Sequence, residues 1–212
     1  MRVVYLHGFA SGPTSSKAGF FREKFTAAGV DVCVPALDGG DFFNLTVTSQ
    51  LAVIEHEARD RQVVLMGSSL GGYLAALYAA HHPARVERVI LMAPAFCFAR
   101  RWSTELPAIA EWKRTGVMEL FHYGERRNRE IRYSLMEDGL EYEDYPDVPQ
   151  PTLILHGALD PVVPVALSEE FAKIHPSNTL LRVYPRSGHE LTDVVDAMWT
   201  EVSTFLSLPG SK

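Results

Sequence analysis

Cysteine is scarce in this chain: two residues of 212, Cys33 and Cys97. Neither sits in a metal-ligand spacing, so no metal site is expected, and a reduced cytosolic setting is the simplest expectation. The pair reads as small buried apolar side chains rather than a disulfide. Long hydrophobic runs are missing too: none approaches the ~20 residues of a membrane span. The start, Met1-Arg2 and then Val3-Val4-Tyr5-Leu6, has the form of a core strand rather than a signal peptide. Basic residues are outnumbered, 20 Lys and Arg against 26 Asp and Glu, for a formal net charge of −6. With no basic stripe and no RNA-binding motif, nucleic acid is not an expected partner. Glycine-rich phosphate loops are absent, since neither G-x-x-x-x-G-K-[ST] nor G-x-G-x-x-G occurs. No cofactor is therefore expected. Internal repeats and low-complexity segments are also absent.

What is present is an alternation. Strand-like apolar runs at residues 2–6, 30–35, 62–66, 86–92, 151–155 and 179–184 are separated by helix-like stretches at 16–28, 45–59, 73–82, 166–173 and 191–208. That rhythm predicts an α/β fold with a mainly parallel sheet. Pro83 stops the third helix because it cannot continue the hydrogen-bond ladder. Residues 209–212 are expected to fray. The length suits one domain spanning residues 1–212. Residues 95–149 break the rhythm. A short helix is expected at 104–114, and 117–123 pairs with 130–136 as a hairpin across 124–129. The segment leaves from the sheet edge that carries Ser69, so it is expected to be a lid over the site, with a solvated excursion as the alternative.

The chemistry begins with Gly67-Ser68-Ser69-Leu70-Gly71, a G-x-S-x-G pentapeptide between an apolar strand and an alanine-rich helix. Ser69 is thereby a candidate nucleophile. A serine hydroxyl needs an oriented imidazole beside it. His189 follows the last strand, in Ser187-Gly188-His189-Glu190, and is the candidate base. Asp160 lies just past a core strand, in His156-Gly157-Ala158-Leu159-Asp160-Pro161, where functional groups of open α/β sheets gather. It is preferred as the acid over Asp193, which suits a helix start. The developing oxyanion needs backbone amides. Leu70, after the nucleophile, and Phe9, in the glycine-containing loop His7-Gly8-Phe9-Ala10-Ser11-Gly12, are the candidates. His7 is read as a structural hydrogen-bonder. A pocket is expected between the Phe9 loop, the Ala95-Phe96-Cys97-Phe98 segment and the lid, with Phe96, Phe98 and Trp102 as candidates for its apolar acyl wall and core packing as their alternative. Arg100 and Arg101 are expected to be solvated or ion-paired rather than bound to substrate.

Together, His7-Gly8-Phe9, Gly67 to Gly71, His156-Gly157 through Asp160, and Gly188-His189 resemble the α/β-hydrolase superfamily over nearly the whole length. The start His7-Gly8-Phe9-Ala10-Ser11-Gly12-Pro13 with Ser16-Lys17 also resembles a group of small bacterial esterases. The resemblance implies a three-layer fold, with Ser69, Asp160 and His189 as nucleophile, acid and base and the amides of Phe9 and Leu70 as the oxyanion hole. Family members often carry two further strands before the His-Gly strand. Here that strand begins at Met1, so a reduced sheet of about six strands is expected. The activity implied is cleavage of carboxylic esters or thioesters of a small-molecule or acyl substrate. Other chemistry on the same scaffold, such as C–C hydrolysis or perhydrolysis, and a non-catalytic binding protein are the alternatives.

Overall fold

The computed structural model describes residues 1–105 and 107–208; the expected frayed tail, 209–212, lies outside them. Six strands form one sheet: β1 (Arg2–Leu6), β2 (Asp31–Cys33), β3 (Val63–Ser68), β4 (Val86–Met92), β7 (Thr152–Gly157) and β8 (Thr179–Tyr184). Their order is β2-β1-β3-β4-β7-β8, and every pair is parallel. The central strands read as unbroken apolar runs because both faces are covered: every residue of β3 and β7 is buried. Successive residues point to opposite faces. Val3, Tyr5, Val64, Met66, Ile90 and Leu153 pack under α1 (Ser16–Ala27) and α8 (Val195–Phe205) through Phe21, Phe25, Met198 and Val202. Val4, Leu6, Leu65, Leu91 and Ile154 pack with α2 (Val47–Ala58), α3 (Leu70–His81) and α7 (Val165–Ile174). Three layers result.

Small departures from the sequence reading have local causes. The second strand shrinks to Asp31–Cys33 because it is an edge and ends near Pro35, which has no N–H to offer the ladder. The last helix starts only at Val195, after a 3-10 turn at Thr192–Val194 that follows left-handed Leu191. Both thiols are free, and both are half-buried rather than fully buried.

Residues after β4 form α4 (Phe98–Glu105), α5 (Pro107–Thr115), a hairpin of β5 (Val117–His122) and β6 (Arg127–Arg132), and α6 (Ser134–Gly139). One helix was expected near 104–114; two form, and Pro107 opens the second, where its missing N–H costs nothing. The hairpin pairs Val117 with Arg132 through His122 with Arg127. Part of this segment packs on the body of the fold. Trp112, Ile131, Leu135 and Met136 belong to the same core cluster as the α3 face of the sheet, and the Trp112 indole donates to the Ile131 carbonyl at 3.1 Å.

The strand order reverses between β1 and β3: the chain leaves β1 for β2, then returns to the other side. Open α/β sheets form their crevice at such a point, beyond the carboxyl ends of the strands. The loops carrying Phe9 and Ser69 leave from there.

Candidate active site

Ser69 caps α3 with φ 55° and ψ −120°, a conformation that costs a non-glycine residue on the order of 1–3 kcal/mol. Surrounding bonds hold it. The Ser69 amide donates to the Met92 carbonyl at 2.9 Å, and the Ser69 carbonyl accepts from Gly72, Tyr73 and Ala95 at 2.9, 3.1 and 3.0 Å. The turn is possible only with glycine on either side. A Cβ on Gly67 would lie 2.1 Å from the Gly71 carbonyl oxygen, and one on Gly71 would lie 2.3 Å from that of Leu6.

The hydroxyl so presented meets His189: Oγ to Nε2 is 3.0 Å. His189 Nδ1 lies 2.7 Å from Asp160 Oδ2. The carboxylate accepts only, so the ring proton sits on Nδ1 and Nε2 is free to accept from the serine. The Asp160 side chain has no solvent exposure. Its Oδ1 accepts from the amides of Val162 and Val163, both at 2.8 Å. Burial alone would raise its pKa, but hydrogen bonds from His156, His189 and the Val163 amide outweigh it and hold the carboxyl well below the usual carboxylate range. Asp193 is elsewhere: it accepts from the Ser187 hydroxyl at 2.8 Å.

Two residues given no role by the sequence reading support this chain of contacts. His156 is fully buried on β7. Its Nε2 faces two acceptors, the Val163 carbonyl at 2.9 Å and Asp160 Oδ2 at 3.2 Å, and its Nδ1 accepts from the Ser168 hydroxyl at 2.7 Å. The sequence signal for His156 is its place four residues before Asp160, at a strand end. Lys17, quoted above only within the resemblance, is buried at the start of α1 and donates to the Glu190 carbonyl at 2.7 Å, fixing the chain just after His189. Burial lowers its pKa, while nearby Glu190 and Asp160 oppose that shift.

Across the crevice, a Cβ on Gly8 would lie 3.5 Å from Ser69 Cβ, so the loop after β1 runs directly past the serine. The Leu70 amide opens α3 and points out of the helix's positive end. His7 is a structural hydrogen-bonder here. Its Nε2 accepts from the Leu37 amide at 3.3 Å, so Nδ1 carries the proton and donates to the Gly8 carbonyl at 3.0 Å. That bond orients the Gly8–Phe9 peptide and hence the Phe9 N–H on its opposite side. Burial lowers the His7 pKa and keeps the ring neutral.

The aromatic candidates separate. Phe96 has 0% exposure, stacked on Phe171 with ring centroids 4.6 Å apart, and Phe98 is 2% exposed. Both are core, because the segment after β4 turns into the sheet–helix interface. Trp102 is half-buried, with its ring edge-on to Phe9 at 5.7 Å. Arg100 pairs with Asp144 at 2.7 Å, and Arg101 donates to the Val162 carbonyl at 2.8 Å. Among the described residues no cluster of His, Cys, Asp and Glu is arranged to hold a metal ion, and no helix is long and apolar enough to cross a membrane.

The chain belongs to the uncharacterised protein family UPF0227, whose model matches residues 2–206. A pimeloyl-[acyl-carrier protein] methyl ester esterase from Aromatoleum aromaticum is 27% identical, over 88% of this chain and 90% of that protein. Mouse alpha/beta hydrolase domain-containing protein 10 superposes with a TM-score of 0.82 at 20% identity, covering 97% of this chain and 89% of that one. A monoacylglycerol lipase from Paleococcus ferrophilus superposes with a TM-score of 0.80 at 18% identity, covering 97% and 94%. The fold is that of the α/β hydrolases, in a reduced form with six strands.

Proposed function

We propose that this chain hydrolyses carboxylic esters or thioesters through an acyl-enzyme on Ser69. The observation that carries the reading is the unbroken run from Ser69 Oγ to His189 Nε2 at 3.0 Å and from His189 Nδ1 to buried Asp160 at 2.7 Å. His189 takes the hydroxyl proton as Oγ attacks the acyl carbon. Asp160, held ionised by its hydrogen bonds, keeps the ring in the required tautomer and stabilises the imidazolium. The amides of Phe9 and Leu70 receive the oxyanion, one oriented by His7 and one at a helix N-terminus. His189 then gives its proton to the leaving oxygen or sulfur, and the C–O or C–S bond breaks. Water, deprotonated by the same ring, attacks the acyl-enzyme and releases the acid. The name of the Aromatoleum relative supports an ester as the bond cleaved.

Ser69→Ala is expected to lower ester turnover on the order of 10⁶-fold, the scale seen when a catalytic serine is removed. A fluorophosphonate probe should label the native chain and not the variant. Turnover retained in Ser69→Ala, or failure of the folded native protein to label, would sink the mechanism; the second result would favour a binding protein.

A further inference from the structure

A cavity of about 150 Å³ opens between the loop after β1 and the β5–β6 hairpin. Its walls include Gly8, Phe9, Leu37, Phe42, Leu45 and His122. They come from three separate stretches that hydrogen bonds tie together. The Tyr123 amide donates to the Ala10 carbonyl at 2.7 Å, the Arg132 amide to the Phe43 carbonyl at 3.0 Å, and the Leu37 amide to His7 at 3.3 Å. Gly124 closes the seam, where a Cβ would lie 3.0 Å from the Ser11 backbone. No residue of the Asp160 or His189 loops borders this space.

We propose that this cavity holds the acyl chain of the substrate, a short uncharged chain of about four to six carbons; the proposal rests on the reading of Ser69 given above. The argument is geometric. The tetrahedral carbon carries Oγ, the oxyanion, the leaving group and the acyl arm. The leaving atom takes its proton from His189 and so stands on the His189 side. The oxyanion faces the Phe9 and Leu70 amides. The direction left for the acyl arm runs past Gly8 and Phe9, which are also walls of the cavity. Size sets the length: a cavity of about 150 Å³ takes a six-carbon guest such as benzene. Charge sets the chemistry. Asp38 and Glu125 border the space, and nearby Arg129 is already paired with Glu125 and lies over the Phe42 ring. A carboxylate at the chain's far end would meet like charge, with no Lys or Arg among the described residues that border the space. His122 offers one donor to a neutral oxygen, because its Nδ1 accepts the Glu125 amide at 3.1 Å and its proton therefore sits on Nε2.

The test is a series of 4-nitrophenyl esters from acetyl to dodecanoyl, with the adipoyl half-ester as the charged counterpart of hexanoyl. kcat/KM should peak between butanoyl and hexanoyl, and fall about tenfold or more for dodecanoyl and for the half-ester, the scale on which pockets discriminate chain length. Leu45→Trp fills the cavity from within, and Ala36→Trp narrows it from the exposed rim without touching the core. Each should lower the ratio of hexanoyl to acetyl kcat/KM about tenfold. The proposal is overturned if both folded variants keep the native chain-length profile. It is also overturned if they change the preference among alcohols at fixed acyl chain, which would make the space a leaving-group site. Absence of any Ser69-dependent ester turnover in the native chain would instead overturn the hydrolase reading, and the acyl assignment with it.

Discussion

The two sides of the Ser69 site are built from different material. On one side, Ser69, Asp160 and His189 each stand just past the end of a parallel strand, β3, β7 and β8, in a sheet whose central strands are buried on both faces. On the other, the cavity wall is a two-stranded hairpin from the segment between β4 and β7, joined to the loop after β1 by the Tyr123–Ala10 bond and by close packing of Gly124. The first side fixes atoms to within a hydrogen bond of each other. The second encloses a volume. Damage to the first should therefore lower turnover of every ester alike, whereas damage to the second should change which ester is preferred.

The largest effect tests the first half of that contrast. Asp160→Asn preserves shape but replaces an acceptor-only carboxylate with an amide that His189 Nδ1–H and the Val162 and Val163 amides must share. The ring is then free to adopt the wrong tautomer, and kcat should fall on the order of 10⁴-fold. The loss should be the same for acetyl and hexanoyl esters in steady-state assays. A loss confined to one acyl length would break the division between the two sides.

The same division explains what could be read from the sequence. Gly67 to Gly71 was legible because a strand buried on both faces is an unbroken apolar run, so the turn after it stands out. Asp160 and His189 were legible because strand ends announce themselves. The strand limits at 2–6, 86–92 and 179–184 match the structure for the same reason. The cavity was legible only in outline: a pocket between the Phe9 loop and the 95–149 segment was expected, but Leu37, Leu45 and His122 share no local pattern, and only the docked hairpin brings them to Phe9. Phe96 had the composition of a pocket wall, yet packs on Phe171 in the core, because hydrophobicity does not encode which neighbour it meets. His156 showed its motif but not its role, which depends on a contact with Asp160 that only the turn at 157–160 creates.

A smaller effect tests the hairpin side. Gly124→Val places a branched side chain where a Cβ already lies 3.0 Å from Ser11 and 3.1 Å from the Gly12 amide. Both neighbours are backbone, so the hairpin tip must move. Overpacking of this kind costs about 1–3 kcal/mol, to be read from the urea midpoint. Because the Tyr123–Ala10 bond is at the same tip, hexanoyl turnover should fall more than acetyl turnover. Equal losses for both esters would mean that the hairpin serves the oxyanion loop as a whole rather than one wall of the cavity.

The smallest effect separates the two sides by pH. Burial lowers the pKa of His7, where the Gly8 carbonyl and Asp38 oppose the shift and His122 adds to it. Burial likewise lowers that of His122, where Glu125 and Asp38 oppose and Arg129 adds. A histidine with a folded pKa below its unfolded value is protonated more readily in the unfolded chain. Its contribution to stability is therefore present above an unfolded pKa of about 6.5 and lost as pH falls from there to the folded pKa, at about 1.4 kcal/mol per unit of difference. Asp160 is also depressed, but its contribution is lost only as pH falls below the ordinary carboxylate value of 3.8. Mild acid should thus weaken the hairpin side first, while Asp160 is still ionised. Urea unfolding at pH 7.5 and 5.0 should show lower stability at pH 5.0. His122→Asn, whose amide oxygen can accept the Glu125 N–H in place of Nδ1, should remove part of that difference. If the variant shows the native pH dependence, His122 does not titrate differently between the folded and unfolded states, and the hairpin side has no separate response to acid.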